Sequence, residues 1–161
     1  MSRTEIDAFW ENARVRAGLN PARAHLGPTV TETVPPPAWC YGDTAEEADR
    51  FVELVLEGRA SALTSARSDF GDEDELPQPG DLAILLDSAG RPRALLATTA
   101  VRVAAVGEVG AEHLTAEGVE APDLPAWRAG HGEGVRLVLE RFRVLVPPGV
   151  GSHRSRSVPT R

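Results

Sequence analysis

Pro35-Pro36-Pro37 constrains the fold of this chain more than any other segment. Each proline fixes φ and removes a backbone N–H, so neither a helix interior nor a central strand can pass through the triplet. Upstream of it, Ile6, Phe9, Trp10, Ala13 and Ala17 recur at i, i+3, i+4, i+7 and i+11. That spacing predicts one helix over residues 4–18, capped by Thr4, ended by Gly18 and burying Trp10. Residues 19–37, with Pro21, Gly27, Pro28 and the triplet, read as an extended connection. Residues 1–37 therefore form an N-terminal helix and proline-rich connection that pack on whatever follows.

Beyond the prolines the chain carries its clearest local signal. Trp39-Cys40-Tyr41-Gly42-Asp43 is a short apolar piece ending in a turn. Thr44-Ala45-Glu46-Glu47 then has the form of a capping box, in which the Thr and Glu side chains satisfy free helix N–H groups. Ala48, Phe51, Val52, Val55 and Leu56 make one apolar face, and Gly58 is a natural stop. Residues 60–66 read as a strand of small and hydroxyl residues. The acidic stretch 68–79 reads as a solvated loop, and it lacks the EF-hand pattern. Residues 82–86 and 92–105 predict a hairpin joined at Ser88-Ala89-Gly90-Arg91. Residues 108–117 read as helical or irregular, 124–130 as a short helix and 135–146 as a closing strand. The Pro/Gly/Ser/Arg-rich residues 147–161 read as a disordered tail, with a domain over 38–147. Two or three helices and about five strands in this mixed order predict an α+β fold, a small antiparallel β-barrel with flanking helices.

Composition narrows the chemistry. Of 161 residues, 42% are hydrophobic, enough for one ordinary core. Cys40 is the only cysteine, which excludes an intramolecular disulfide and a Cys-rich zinc site. It reads as a small, partly buried hydrophobe. No cofactor is expected, and His25, His113 and His153 show no metal-ligand spacing. No run reaches the ~20 apolar residues of a membrane helix, and no signal-peptide core follows Met1, so a cytoplasmic protein is expected. The net charge is −7, and all 17 basic residues are arginine. Arginine does not give up its proton near neutrality, so any mechanism needing a lysine base is closed. An acidic chain also disfavours tight non-specific nucleic-acid binding, which depends on neutralising phosphates.

From Trp39 to Val146 the motifs together resemble the ASCH-domain family. Tyr41-Gly42-Asp43 is similar to its aromatic-Gly-Asp turn, and Gly58-Arg59-Ala60-Ser61-Ala62-Leu63-Thr64-Ser65-Ala66 to its G-K-K-T-A-T-S-S-A stretch. Pro79-Gly80-Asp81 resembles its P-x-x-G-D entry, and Thr98-Thr99-Ala100-Val101 its T-T-E-V stretch. Ala116-Glu117-Gly118, Trp127-Arg128-x-x-His131 and Glu140-x-Phe142-x-Val144 resemble its later features. The resemblance implies a PUA-like barrel with a cleft along the signature strand. It also implies RNA or a modified nucleoside as partner, since some members are amidohydrolases acting on acetylated cytidine and others are linked to RNA. The amidohydrolase pattern G-x-K-x-x-T falls on Gly58, Ala60 and Leu63, so the lysine and threonine are both replaced. Glu117 matches the family's glutamate.

The resemblance leaves Ser61 and Glu117 as catalytic candidates, with Thr64 the other hydroxyl that could stand in for Leu63, and no lysine to activate either. Arg59 reads as a cation for phosphate or a base edge, or as a surface arginine paired with acidic neighbours. Ser61, Thr64 and Ser65 read as nucleoside hydrogen-bonders or as strand residues. Strand alternation puts Ser61 and Ser65 with Leu63, and turns Thr64 away. Trp39 and Trp127 read as base-stacking platforms or core anchors, and Arg128 with His131 as one polar patch. Three functions follow: an RNA- or nucleoside-binding module with a degenerate hydrolase site, a hydrolase with altered and metal-dependent machinery, or a protein-interaction scaffold.

Overall fold

The computed structural model describes residues 3–17 and 34–146. The expected helix stop at Gly18, the connection over 19–33, His25, His153 and the C-terminal tail lie outside the described residues.

The first helix, α1, covers Arg3–Arg16. Its buried Trp10 and Ala13 pack with Ile84, Leu86, Leu95 and Val146, so the N-terminal stripe joins one face of the sheet. After the prolines, β1 is only Ala38–Trp39. Helix α2, Ala45–Leu56, is capped by Thr44 as its sequence predicts, Glu47 N–H donating to Thr44 Oγ1 at 3.1 Å, while the Glu47 side chain accepts from Asp43 N–H at 2.8 Å, one residue before the N-cap. Phe51, Val52, Leu54 and Val55 are buried on its apolar face, each contributing about 1.5–3 kcal/mol.

The strands are β2 Ala62–Ala66, β3 Leu82–Leu86, β4 Pro92–Ala105 and β5 Arg136–Val146. Between β4 and β5 lie the short helices α3, Ala111–Ala116, and α4, Leu124–Ala129. The acidic loop holds two 3-10 turns, Arg67–Asp69 and Glu73–Glu75. The sheet order is β1-β3-β4-β5-β2. The β3–β4 hairpin is antiparallel, as are β4–β5 and β5–β2.

The fold is mixed α+β, but two details depart from the sequence expectation. β1 pairs with β3 in parallel rather than antiparallel. The sheet is also open: β1 and β2 are its two edges, so the expected closed barrel does not form among the described residues. A two-residue strand entered from three prolines has too few free N–H groups to bridge to a second neighbour. β4 bends instead, with register shifts at Leu95/Leu96 and Thr98/Ala100, as bulges do. That bend brings the two edges to opposite sides of one cavity.

Candidate functional site

The cavity has a volume of about 670 Å³. One wall comes from the β1 edge through Trp39, Cys40 and Tyr41, the other from β2 through Leu63, Thr64 and Ser65. Thr98 and Glu140 come from the central strands, and Phe70, Glu75 and Leu76 from the acidic loop. Its position follows from the open sheet: where a closed barrel would pair its last strands, this chain leaves room for a ligand.

The aromatic core aims the polar groups. The Tyr41 ring stacks on Phe51 with centroids 3.9 Å apart and planes at 13°, and Phe51 meets Phe142 edge-on at 6.3 Å. Tyr41 lies just before a turn that needs glycine: Gly42 has φ +76°, and a Cβ there would stand 2.7 Å from the Glu47 Cβ. Held so, Tyr41 OH donates to Glu117 Oε1 at 3.0 Å. Thr64 Oγ1 donates to Glu117 Oε2 at 2.7 Å and also lies 2.8 Å from His113 Nε2. Because the Thr64 proton goes to Glu117, the network assigns the Nε2 proton to His113, which donates to Thr64. Glu117 follows α3 and is anchored by Gly118, whose φ of +95° and close approach to Leu54 leave no space for a side chain.

These groups are perturbed by burial. The Glu117 side chain is 9% exposed, and desolvation raises its pKa despite the hydroxyl hydrogen bonds that favour the anion. Burial first, then the nearby Glu117 charge, pushes the Tyr41 phenol up. His113 is depressed to about 4 by burial, reinforced by Arg141 and Arg102. It is therefore neutral at physiological pH. Burial also raises Glu140, which accepts from Thr98 Oγ1 at 2.6 Å. A carboxylate with a raised pKa and a hydroxyl beside it is a base paired with a nucleophile.

The structure brings together some of the sequence-predicted residues and separates others. Trp39, Thr64, Ser65 and Glu117 line the cavity. Thr64, which strand alternation turns away from the signature face, is the residue that reaches Glu117. β2 is an edge strand, and α3 packs over the face Thr64 presents. Arg59 instead lies before β2, half-exposed and ion-paired with Glu57 at 3.5 Å and with Glu120, over a separate surface pocket. Ser61 faces another pocket with Val55 and Phe142. Trp127 packs against the cluster of Val106, Val109 and Leu137. Arg128 Nη2 donates to Val109 O at 2.9 Å, and His131 Nδ1 pairs with Trp127 O at 2.8 Å, and neither lines the main cavity.

Three residues of the site were not among the sequence candidates. His113 and Tyr41 enter through the Glu117 network; the i, i+4 spacing of His113 and Glu117 was the available signal. Cys40, expected to be partly buried, is exposed on the cavity wall just beyond the end of β1 at Trp39. Among the described residues, no three His, Cys, Asp or Glu side chains converge to hold a metal ion. Nor is any helix there long and apolar enough to cross a membrane.

Comparison with known proteins gives consistent results. The sequence profile of the ASCH domain matches residues 37–145. A protein of Enterococcus faecalis V583 placed in the DUF984 family superposes with a TM-score of 0.72 at 24% identity, over 99% of each chain. An ASCH domain of Lactobacillus crispatus JV V101 superposes with a TM-score of 0.70 at 21% identity, over 89% of this chain and 95% of the other. At these identities the likeness establishes a shared fold. No curated protein matches the sequence.

Proposed function

This chain belongs to the ASCH domain family, a group of PUA-like modules, and we propose that it binds an uncharged or cationic heterocycle of nucleoside size in the cavity between β1 and β2. The observation that carries this reading is the sign of the cavity's charges. Glu47, Glu75, Asp81, Glu117 and Glu140 line it, and among the described residues no arginine or histidine does. A phosphodiester would meet carboxylates from several sides, whereas ring N–H groups and exocyclic amines would meet acceptors. Trp39 and Tyr41 supply aromatic faces, each base stack being worth about 1–3 kcal/mol. The volume suits a small ligand.

Cys40 provides a direct test, since it is the one cysteine and lies on the cavity wall. Nucleosides should bind by calorimetry and slow its alkylation, and the matching 5′-monophosphates should protect Cys40 more weakly. Tyr41→Phe and Glu117→Gln should reduce nucleoside affinity. Stronger protection of Cys40 by the monophosphates than by the nucleosides, or unchanged nucleoside affinity in both variants, would defeat the reading.

A second reading, an acyl hydrolase, is favoured by the contact of Thr64 Oγ1 with Glu117 at 2.7 Å. Thr64 Oγ1 would attack an acyl carbon while Glu117 takes its proton and passes it to the departing amine. Water would then cleave the acyl-threonine ester, with Glu117 again taking a proton, and regenerate both groups. Thr64 stands one position beyond the family's threonine, and its base here is a carboxylate rather than a lysine. Release of acid from N-acylated nucleosides, retained in Thr64→Ser and lost in Thr64→Ala, is the expected result. Equal activity in Thr64→Ala would exclude this chemistry.

A further inference from the structure

On the other side of the Thr64–His113 contact lies a second pocket of about 300 Å³, lined by Ala100, Arg102, Glu112, His113 and Arg141, among others. Its charge is opposite in kind to that of the main cavity. Arg102 lies across from Leu139, and Arg141 across from Ala100. The two arginines are thus diagonal neighbours on one face of the β4–β5 pair, a spacing that long side chains bridge. The small side chain of Ala100 stands between them and helps keep the space open. Neither guanidinium has a carboxylate within ion-pairing distance among the described residues, Glu112 included, although the chain carries a net charge of −7. Two like charges held on one sheet face repel each other, and a shared anion removes that repulsion.

We infer that this pocket is a phosphate-binding site, with Arg102 and Arg141 gripping the oxyanion and His113 as its floor. The planar five-donor fork of arginine suits phosphate oxygens. The phosphate comes either from a small phosphate ester or from the backbone of single-stranded RNA. This inference is independent of the nucleoside reading: the main cavity repels phosphate, and this pocket attracts it. His113 joins the two, since it lines the pocket and bonds Thr64, which lines the cavity. An anion here would also offset the arginine charges that help keep His113 unprotonated.

The test is calorimetric titration of the full chain at low salt with inorganic phosphate, a nucleoside 5′-monophosphate and a short single-stranded RNA. Saturable binding is expected, weakened about tenfold or more in Arg102→Gln and in Arg141→Gln, and unchanged in Arg50→Gln on the exposed face of α2. Arg102→Lys should lose part of the affinity, because it keeps the charge and lacks the fork. Bound phosphate should also move the His113 NMR titration to higher pH. RNA binding more tightly than the monophosphate, with a steep salt dependence, assigns the site to a polymer; equal affinity assigns it to a small ester. Failure of all three probes to saturate, or an equal loss in Arg50→Gln, overturns the inference.

Discussion

Replacement of His113 by glutamine tests the buried network that joins the two pockets. His113 is 6% exposed and faces Arg102, Arg141, Glu112, Glu117 and Thr64. Its pKa falls from 6.5 to about 4 on folding, through burial first and then through the charges of Arg141 and Arg102. The unfolded chain therefore binds the imidazole proton more readily than the folded one. Protons stabilise the unfolded state, so the native state has its full stability above pH 6.5 and loses it as pH falls toward 4. At about 1.36 kcal/mol per pH unit, the loss from this residue is about 2 kcal/mol at pH 5 and about 3 kcal/mol below pH 4. Glutamine does not titrate, so the variant should lack this component. Chemical denaturation of both proteins at several pH values between 7 and 4 measures it. Glu117 and Glu140 titrate in both proteins, and their contributions largely cancel in the difference. The wild type should lose stability relative to His113→Gln by about 2 kcal/mol between pH 7 and 5. A pH-independent difference, or a His113 NMR midpoint near 6.5, would refute the reasoning.

Other perturbations reach different layers of the structure. Phe51→Ala should cost about 3–5 kcal/mol in denaturation, and because Tyr41 stacks on this ring, Cys40 protection by nucleosides should weaken as well. Thr44→Ala removes the α2 cap and should cost about 1 kcal/mol, with no change at the cavity if the cap acts only on the helix. Glu140→Gln relieves a buried carboxyl whose pKa is raised by desolvation. Ionisation of that group costs the folded state, so the variant's gain over wild type should grow as pH rises above 4.5, and a gain confined to acid pH would contradict the assignment.

Much of the architecture was legible because it is written in local chemistry. The capping box at Thr44–Glu47, the long strand from Pro92 to Ala105 and the short helix at Leu124 each depend on neighbours within a few residues. The order of weak motifs was enough to identify the family, and the absence of lysine is a fact of composition alone. The sequence also excluded a disulfide framework and a lysine base without reference to any fold. The site was legible only in part. Glu117, Thr64, Ser65 and Trp39 could be named as candidates, but alternation did not say which face of β2 the site would use, and the likeness of the Gly58–Ala66 stretch put forward Arg59, which lies outside the cavity.

The Thr64 face was decided by tertiary packing. Alternation fixes which residues share a face, but not which face another element covers. β2 is an edge strand, and α3, which is distant in sequence, brings His113 and Glu117 against its Thr64 side. In the same way, the opening of the sheet depends on how far β1 can pair after three prolines and on where β4 bends. The sequence by itself determined the longer helices and the four longer strands, and that no lysine chemistry is available. Only the tertiary structure decided that carboxylates collect in one cavity and arginines in the other, because charge at a site is set by side chains far apart in the chain, as Tyr41 and Glu117 are, 76 residues apart.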